Sequence, residues 1–330
     1  MSAPVHLGGR ITRLGGITSN DIERATTVNH TPTSMAGAIS LVEGDQRPAR
    51  PSTPRAQATY PPRWCTTVLV GTVFLSVLTL LPAVAAATSP LVVPNEMQEL
   101  GYPLVAAPLG MLMVLIAQRI ALRTSSRWAG LLAFTGVGWT VNALLVALRS
   151  WGGDGHGPHS LFVAATWVGQ FSYVWPDVAT FVLLPMALPS GRIFGAWRWV
   201  AGVVATSAAV QVVCAALGGG QMDDAAVSNP FTGSAMSGLI GVRDDLYLPT
   251  MLIGVIAVLV RAVSVRHAEP VRYAAVLACS VIGLLAATVL EGSLQAMDVP
   301  CYVPWLPVAV IIPACVLAWT RVVIRTADAR

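Results

Sequence analysis

Long apolar runs alternate with short polar gaps along this chain. The runs are Trp64–Ala87, Leu104–Leu122, Trp128–Leu148, Leu161–Leu188, Trp197–Leu217, Leu248–Val263, Ala274–Leu294 and Val303–Val323. A helix needs roughly 20 apolar residues to cross the hydrocarbon core of a bilayer. The pattern therefore predicts an all-α, polytopic helical bundle with one transmembrane helix for each of these eight runs. Most connections are short, so sequential helices should be antiparallel neighbours. The longest connection, Gly218 to Tyr247, opens with three glycines and reads as a solvated loop.

The charges in the gaps alternate in sign. Seven arginines precede the first run, and Arg123 with Arg127, Arg192 with Arg198, Arg266 with Arg272, and Arg325 with Arg330 mark every second gap after it. The intervening gaps carry Glu96, Glu99, Asp154, Asp223, Asp224, Asp244, Asp245 and Asp298, opposed only by Arg149 and Arg243. The positive-inside rule then predicts a multi-pass protein of the cell membrane with both termini cytoplasmic and the acidic loops outside. Tryptophans near the run ends, among them Trp64, Trp128, Trp197, Trp305 and Trp319, read as interfacial anchors, whereas Trp139, Trp167 and Trp175 lie deeper.

Composition agrees with a bilayer as solvent: 55% of residues are hydrophobic and 11% charged. The net charge of +4 comes wholly from arginine, and it sits where anionic lipid attracts it, which makes nucleic acid an unexpected partner. Residues 1–63 are rich in Pro, Thr, Ser, Ala and Gly and read as a disordered cytoplasmic tail before a bundle at 64–324 and a short C-terminus at 325–330. The five cysteines lack paired spacing, and His156 and His159 flank a Gly-Pro turn, so neither disulfides, a metal site nor a cofactor is expected.

The run Leu161–Leu188 is the informative one. It would extend about 42 Å at roughly 1.5 Å per residue, longer than the hydrocarbon core, and Pro176 and Pro185 supply bends. Thr166, Gln170, Tyr173, Asp177 and Thr180 recur at steps of four and three, which on a continuous helix makes one narrow polar stripe. A carboxylate at mid-membrane costs about 3 kcal/mol on insertion scales, so Asp177 must face protein or water. Either the stripe marks an interior helix face, or it lines a cavity that binds a ligand. Candidate neighbours for Asp177 are Asn142, Arg119 and Glu291 on other runs.

Leu188-Pro189-Ser190-Gly191-Arg192, followed by Trp197-Arg198-Trp199, resembles the Phe-Pro-Asp/Ser-Gly-Arg…Trp-Arg signature in the membrane-embedded N-terminal region of actinobacterial sensor histidine kinases. Asn229-Pro230 and the basic stretch from Arg261 to Tyr273 keep that family's order, and the all-arginine, Ala/Val-rich composition fits a high-GC actinobacterial source. The resemblance covers roughly Leu161 to Arg325. It implies a sensory bundle that acts through a cytoplasmic signalling protein or kinase core, as a monomer or a homodimer. The family's phospho-accepting histidine segment and ATP-binding domain have no counterpart here, so a non-catalytic protein is expected. Asp177 also departs from the family, whose corresponding position is apolar. A cytoplasmic contact face is then expected at Arg192, Arg198, Arg266 and Arg272. The alternatives are a small-solute transporter that uses the stripe around Asp177, and an intramembrane enzyme.

The topology has a direct test. Reporter fusions placed after Leu217 and after Val263 should report opposite sides of the membrane; the same sidedness for both would refute the arrangement.

Overall fold

The computed structural model describes residues 63–87, 94–124, 126–153, 158–219, 238–265, 271–297 and 303–329, with isolated positions between them. The tail at 1–63, apart from Arg63, lies outside the described residues, as do Asp154, His156, Asp223, Asp224 and Arg266. Among the described residues the chain is helical throughout, with no strand. Its helices are α1 (Arg63–Ala87), α2 (Pro94–Arg123), α3 (Arg127–Gly153), α4 (His159–Ser172), α5 (Val174–Val178), α6 (Leu184–Met186), α7 (Trp197–Leu217), α8 (Gly238–Val265), α9 (Val271–Gln295) and α10 (Leu306–Asp328). Seven of these, α1–α3 and α7–α10, are long and apolar enough to cross a membrane.

The remaining predicted span is not one helix. It divides into α4, α5, a π-helical turn at Ala179–Leu183, and α6. Proline explains the interruptions. Pro176 has no N–H to offer the carbonyl of Ser172, and Pro185 has none for that of Phe181. Between them the backbone unwinds to take in one extra residue, with the Leu184 N–H reaching back to the Ala179 carbonyl.

This broken segment is the centre of the bundle. Consecutive helices pack side by side from α1 to α4 and from α7 to α10, α10 closes against α2, and the broken segment touches α3, α7 and α8. Val174, Val178, Ala179, Val182, Leu184, Met186 and Leu188 are all buried along it. Large apolar side chains instead cover the outside of the flanking helices: Phe74 and Leu81 on α1, Val289 on α9 and Val310 on α10 are each more than 60% exposed. Soluble proteins do not present such surfaces on every side, whereas lipid accommodates them. Several hydroxyls bond back to carbonyls four residues earlier, as those of Thr72, Ser76, Thr79, Thr135 and Thr320 do, so these donors are satisfied within their own helices.

Two sequence expectations change. Trp128 and Trp319, read as interfacial anchors, are fully buried. The loop ending at Tyr247 is shorter than expected, because α8 begins at Gly238 and includes Arg243, Asp244, Asp245 and Tyr247. The acidic pair had interrupted the hydropathy pattern, but Arg243 is buried and donates to the carboxylate of Asp244 at 2.8 Å and to the Gln170 carbonyl at 3.3 Å.

At the arginine-rich end, the broken segment finishes in carbonyls without backbone donors. Pro189 has no N–H, and the Leu188 N–H turns back to Pro185. Side chains from three other helices fill the gap. Trp128 Nε1 of α3 donates to Leu184 O at 3.0 Å, Arg261 of α8 donates to Met186 O and, at 2.8 Å, to Leu188 O, and Tyr273 Oη of α9 donates to Leu188 O at 2.9 Å. Gly191, at φ +76°, then passes so close to the start of α3 that an added Cβ would meet the Arg127 carbonyl carbon at 2.7 Å. Both the positive φ and this approach require glycine.

Removing these caps leaves buried acceptors unmet. Arg261→Met should destabilise the folded protein by about 3 kcal/mol and Tyr273→Phe by about 1 kcal/mol, measured by denaturant unfolding in a defined micelle. Equal stability of Arg261→Met and the parent would contradict the capping role. Gly191→Ala should likewise lower the unfolding temperature, whereas Gly202→Ala on α7, where an added Cβ meets no atom within 4 Å, should not.

Candidate functional site

The largely apolar interior contains one cavity in which acidic and aromatic side chains converge. Its volume is about 370 Å³. It lies towards the acidic end of the bundle and is built by six elements. α2 contributes Tyr102, and α3 contributes Trp139 and Asn142. The broken segment adds Tyr173, Asp177 and Phe181, while α8 adds Tyr247 and Met251. α9 brings Glu291, and Trp305 enters just ahead of α10.

The break in the central segment sets the position of Asp177. The residue lies one position after Pro176, in the short α5, and its backbone N–H still reaches the Tyr173 carbonyl at 3.1 Å. Its carboxylate accepts one hydrogen bond, from Tyr247 Oη to Oδ2 at 2.9 Å. Tyr173 and Tyr247 meet edge to face with ring centroids 5.6 Å apart. On the far side Tyr102 packs edge-on against Trp305 at 4.8 Å and lies 6.1 Å from Trp139. A polar chain fixes that wall: Ser172 Oγ donates to Asn142 Oδ1, and Asn142 Nδ2 donates to Tyr102 Oη, both at 2.5 Å. Glu291 is half-buried and accepts from Gln295 at 3.1 Å, one helical turn further along α9.

Four of the sequence candidates therefore come together: Asp177, Tyr173, Asn142 and Glu291. The others do not. Thr180 is buried away from the cavity and accepts a hydrogen bond from Trp139 Nε1 at 3.0 Å. Thr166 and Gln170 lie in α4, where the Thr166 hydroxyl and the Gln170 amide are buried without a protein hydrogen-bond partner. A single stripe assumes a continuous α-helix, whereas this segment is interrupted at Tyr173 and passes into the π-helical turn at Ala179. Arg119 is exposed near the opposite end of α2 and forms no pair with Asp177.

Sequence reasoning missed Tyr102, Tyr247 and Trp305 as site residues. For Tyr247 a signal existed: it falls four positions after Arg243 and three before Thr250, a spacing that continues the face of α8 into the segment read as loop.

The expected arginine face is described only in part. Arg192 and Arg198 are exposed, with the Arg198 guanidinium 5.2 Å from the Trp199 ring centroid. Arg266 and the side chain of Arg272 lie outside the described residues. Arg192 also borders an open cleft of about 770 Å³ together with Arg123, Arg127 and Arg261. Arg261 itself is 8% exposed, so its role there is to hold the turn rather than to offer a surface. Among the described residues no group of His, Cys, Asp or Glu is arranged to hold a metal ion.

Compared with family models, with curated proteins and with solved structures, the chain matches none of them.

Proposed function

We propose that this integral membrane protein is a sensor: a small molecule occupies the cavity around Asp177, and the occupied state is read by a partner at the cytoplasmic arginine face. The observation that carries this reading is the blind end of the cavity. Beyond Phe181 the bundle is solid, with Val182, Leu184, Met186 and Leu188 fully buried in one core with Trp128, Leu132, Leu277 and Trp319. A pocket that ends on a packed layer suits binding and signalling rather than an open conduit.

The route from pocket to face is short and covalent. Asp177 and Leu188 belong to the same broken segment, and the helices that supply Tyr247 and Glu291 to the cavity also supply Arg261 and Tyr273 to the turn. A ligand that favours one position of this segment against α8 and α9 must therefore favour one arrangement of the Ser190–Arg192 turn. Such a shift needs different affinities for two arrangements, and the π-helical turn is the element best suited to absorb the change.

A second reading, small-solute transport, draws support from the break itself, because discontinuous helices near mid-membrane are common at transporter binding sites. It requires the packed inner layer to open.

The two readings separate experimentally. A photo-crosslinking residue in place of Arg192 in native membranes should capture a discrete cytoplasmic protein, and Asp177→Asn should change the capture yield by threefold or more. Absence of any capture, combined with solute flux in proteoliposomes that Asp177→Asn abolishes, would transfer the assignment to transport.

A further inference from the structure

We infer that the ligand of this cavity is an organic cation, an amine or quaternary ammonium on a small apolar body, and that it enters sideways from the lipid between α8 and α9. The inference rests on the ligand-binding reading above and specifies its chemistry.

Charge gives the first argument. Asp177 on α5 and Glu291 on α9 face one cavity, and no basic side chain appears among its described lining residues. The nearby cation that might have compensated them, Arg243, is engaged by Asp244 and the Gln170 carbonyl and lies outside the lining. Tyr247 meets one oxygen of Asp177, and Oδ1 accepts no protein hydrogen bond among the described residues. Two carboxylates in an apolar setting without a protein counter-charge make a site that a cation stabilises.

The walls say which cation. Tyr102, Trp139, Tyr173, Tyr247 and Trp305 line the cavity with the acidic pair, four of them in two edge-to-face pairs. Ring faces attract ammonium groups and favour those that shed water easily. The rest of the lining is aliphatic, including Met251, Leu284 and Ile312. Calcium needs six or more oxygen ligands, which such walls do not offer. A volume of about 370 Å³ suits a small organic molecule.

The mouth gives the route. Leu248 and Leu252 on α8 and Leu285 on α9 line the cavity and are nevertheless 63%, 47% and 38% exposed on the lipid-facing surface. A ligand with an apolar body partitions into the bilayer and reaches the acidic pair from there.

The test uses the full chain in lipid nanodiscs and two probes of equal shape, benzyltrimethylammonium and its uncharged carbon analogue neopentylbenzene. Binding is followed by tryptophan fluorescence, to which Trp139 and Trp305 contribute from the walls, and by the shift in unfolding temperature. The cation should bind saturably and at least tenfold more tightly than the neutral probe. Asp177→Asn and Glu291→Gln should each weaken it at least tenfold, and sodium or calcium chloride at matched ionic strength should not displace it. Equal affinity for the two probes, which needs no variant to establish, would overturn the cation assignment while leaving the cavity as a ligand site. Displacement by either salt would also overturn it. Failure of both probes to bind would sink this inference, and the crosslinking result at Arg192 would then decide separately whether the sensory reading survives.

Discussion

The architecture depends on what happens to three carbonyl groups, those of Leu184, Met186 and Leu188. A chain that enters a membrane cannot leave backbone acceptors unmet, because no water is there to satisfy them. Pro189 has no N–H for the Pro185 carbonyl, so the Leu188 N–H goes there rather than to Leu184, and the helix ends before residues 190 and 192 can serve Met186 and Leu188. The indole of Trp128, the guanidinium of Arg261 and the phenol of Tyr273 replace them from α3, α8 and α9. Those bonds tie the broken segment to helices distant in sequence, and so hold it at the centre of the bundle.

The break has a second consequence at the other end of the same segment. Tyr173, Asp177 and Phe181, at steps of four, open onto a cavity, while Thr180, where the segment passes into the π-helical turn, lies buried against Trp139. A straight helix would have aligned the polar stripe against one neighbour. The interruption instead separates an acidic, aromatic pocket from a packed layer, and it joins the two through a few residues of backbone. The pocket and the basic turn thus lie at opposite ends of one segment.

Much of this was legible in the residues. Asp177, Glu291, Asn142 and Tyr173 stand out because polar groups within apolar runs are few and each must be accommodated. Tyr247 was hidden by its neighbours: Asp244 and Asp245 lower the local hydropathy, and nothing in the linear pattern shows that Arg243 beside them is buried against Gln170. Arg261 was similarly disguised. By position it is one more arginine on the basic side, yet its environment makes it a cap inside the core.

The sequence alone determined that this is an all-helical protein suited to a bilayer and roughly where seven of its long apolar helices lie, since length and hydropathy are properties of each segment by itself. Only the tertiary structure decided which deep residues meet. A proline removes a donor wherever it stands, but the direction in which the chain then turns depends on which side chains from other helices satisfy the carbonyls left behind. Arg119 and Thr180 consequently fell away from Asp177, and Tyr247, Tyr102 and Trp305 took their places around it.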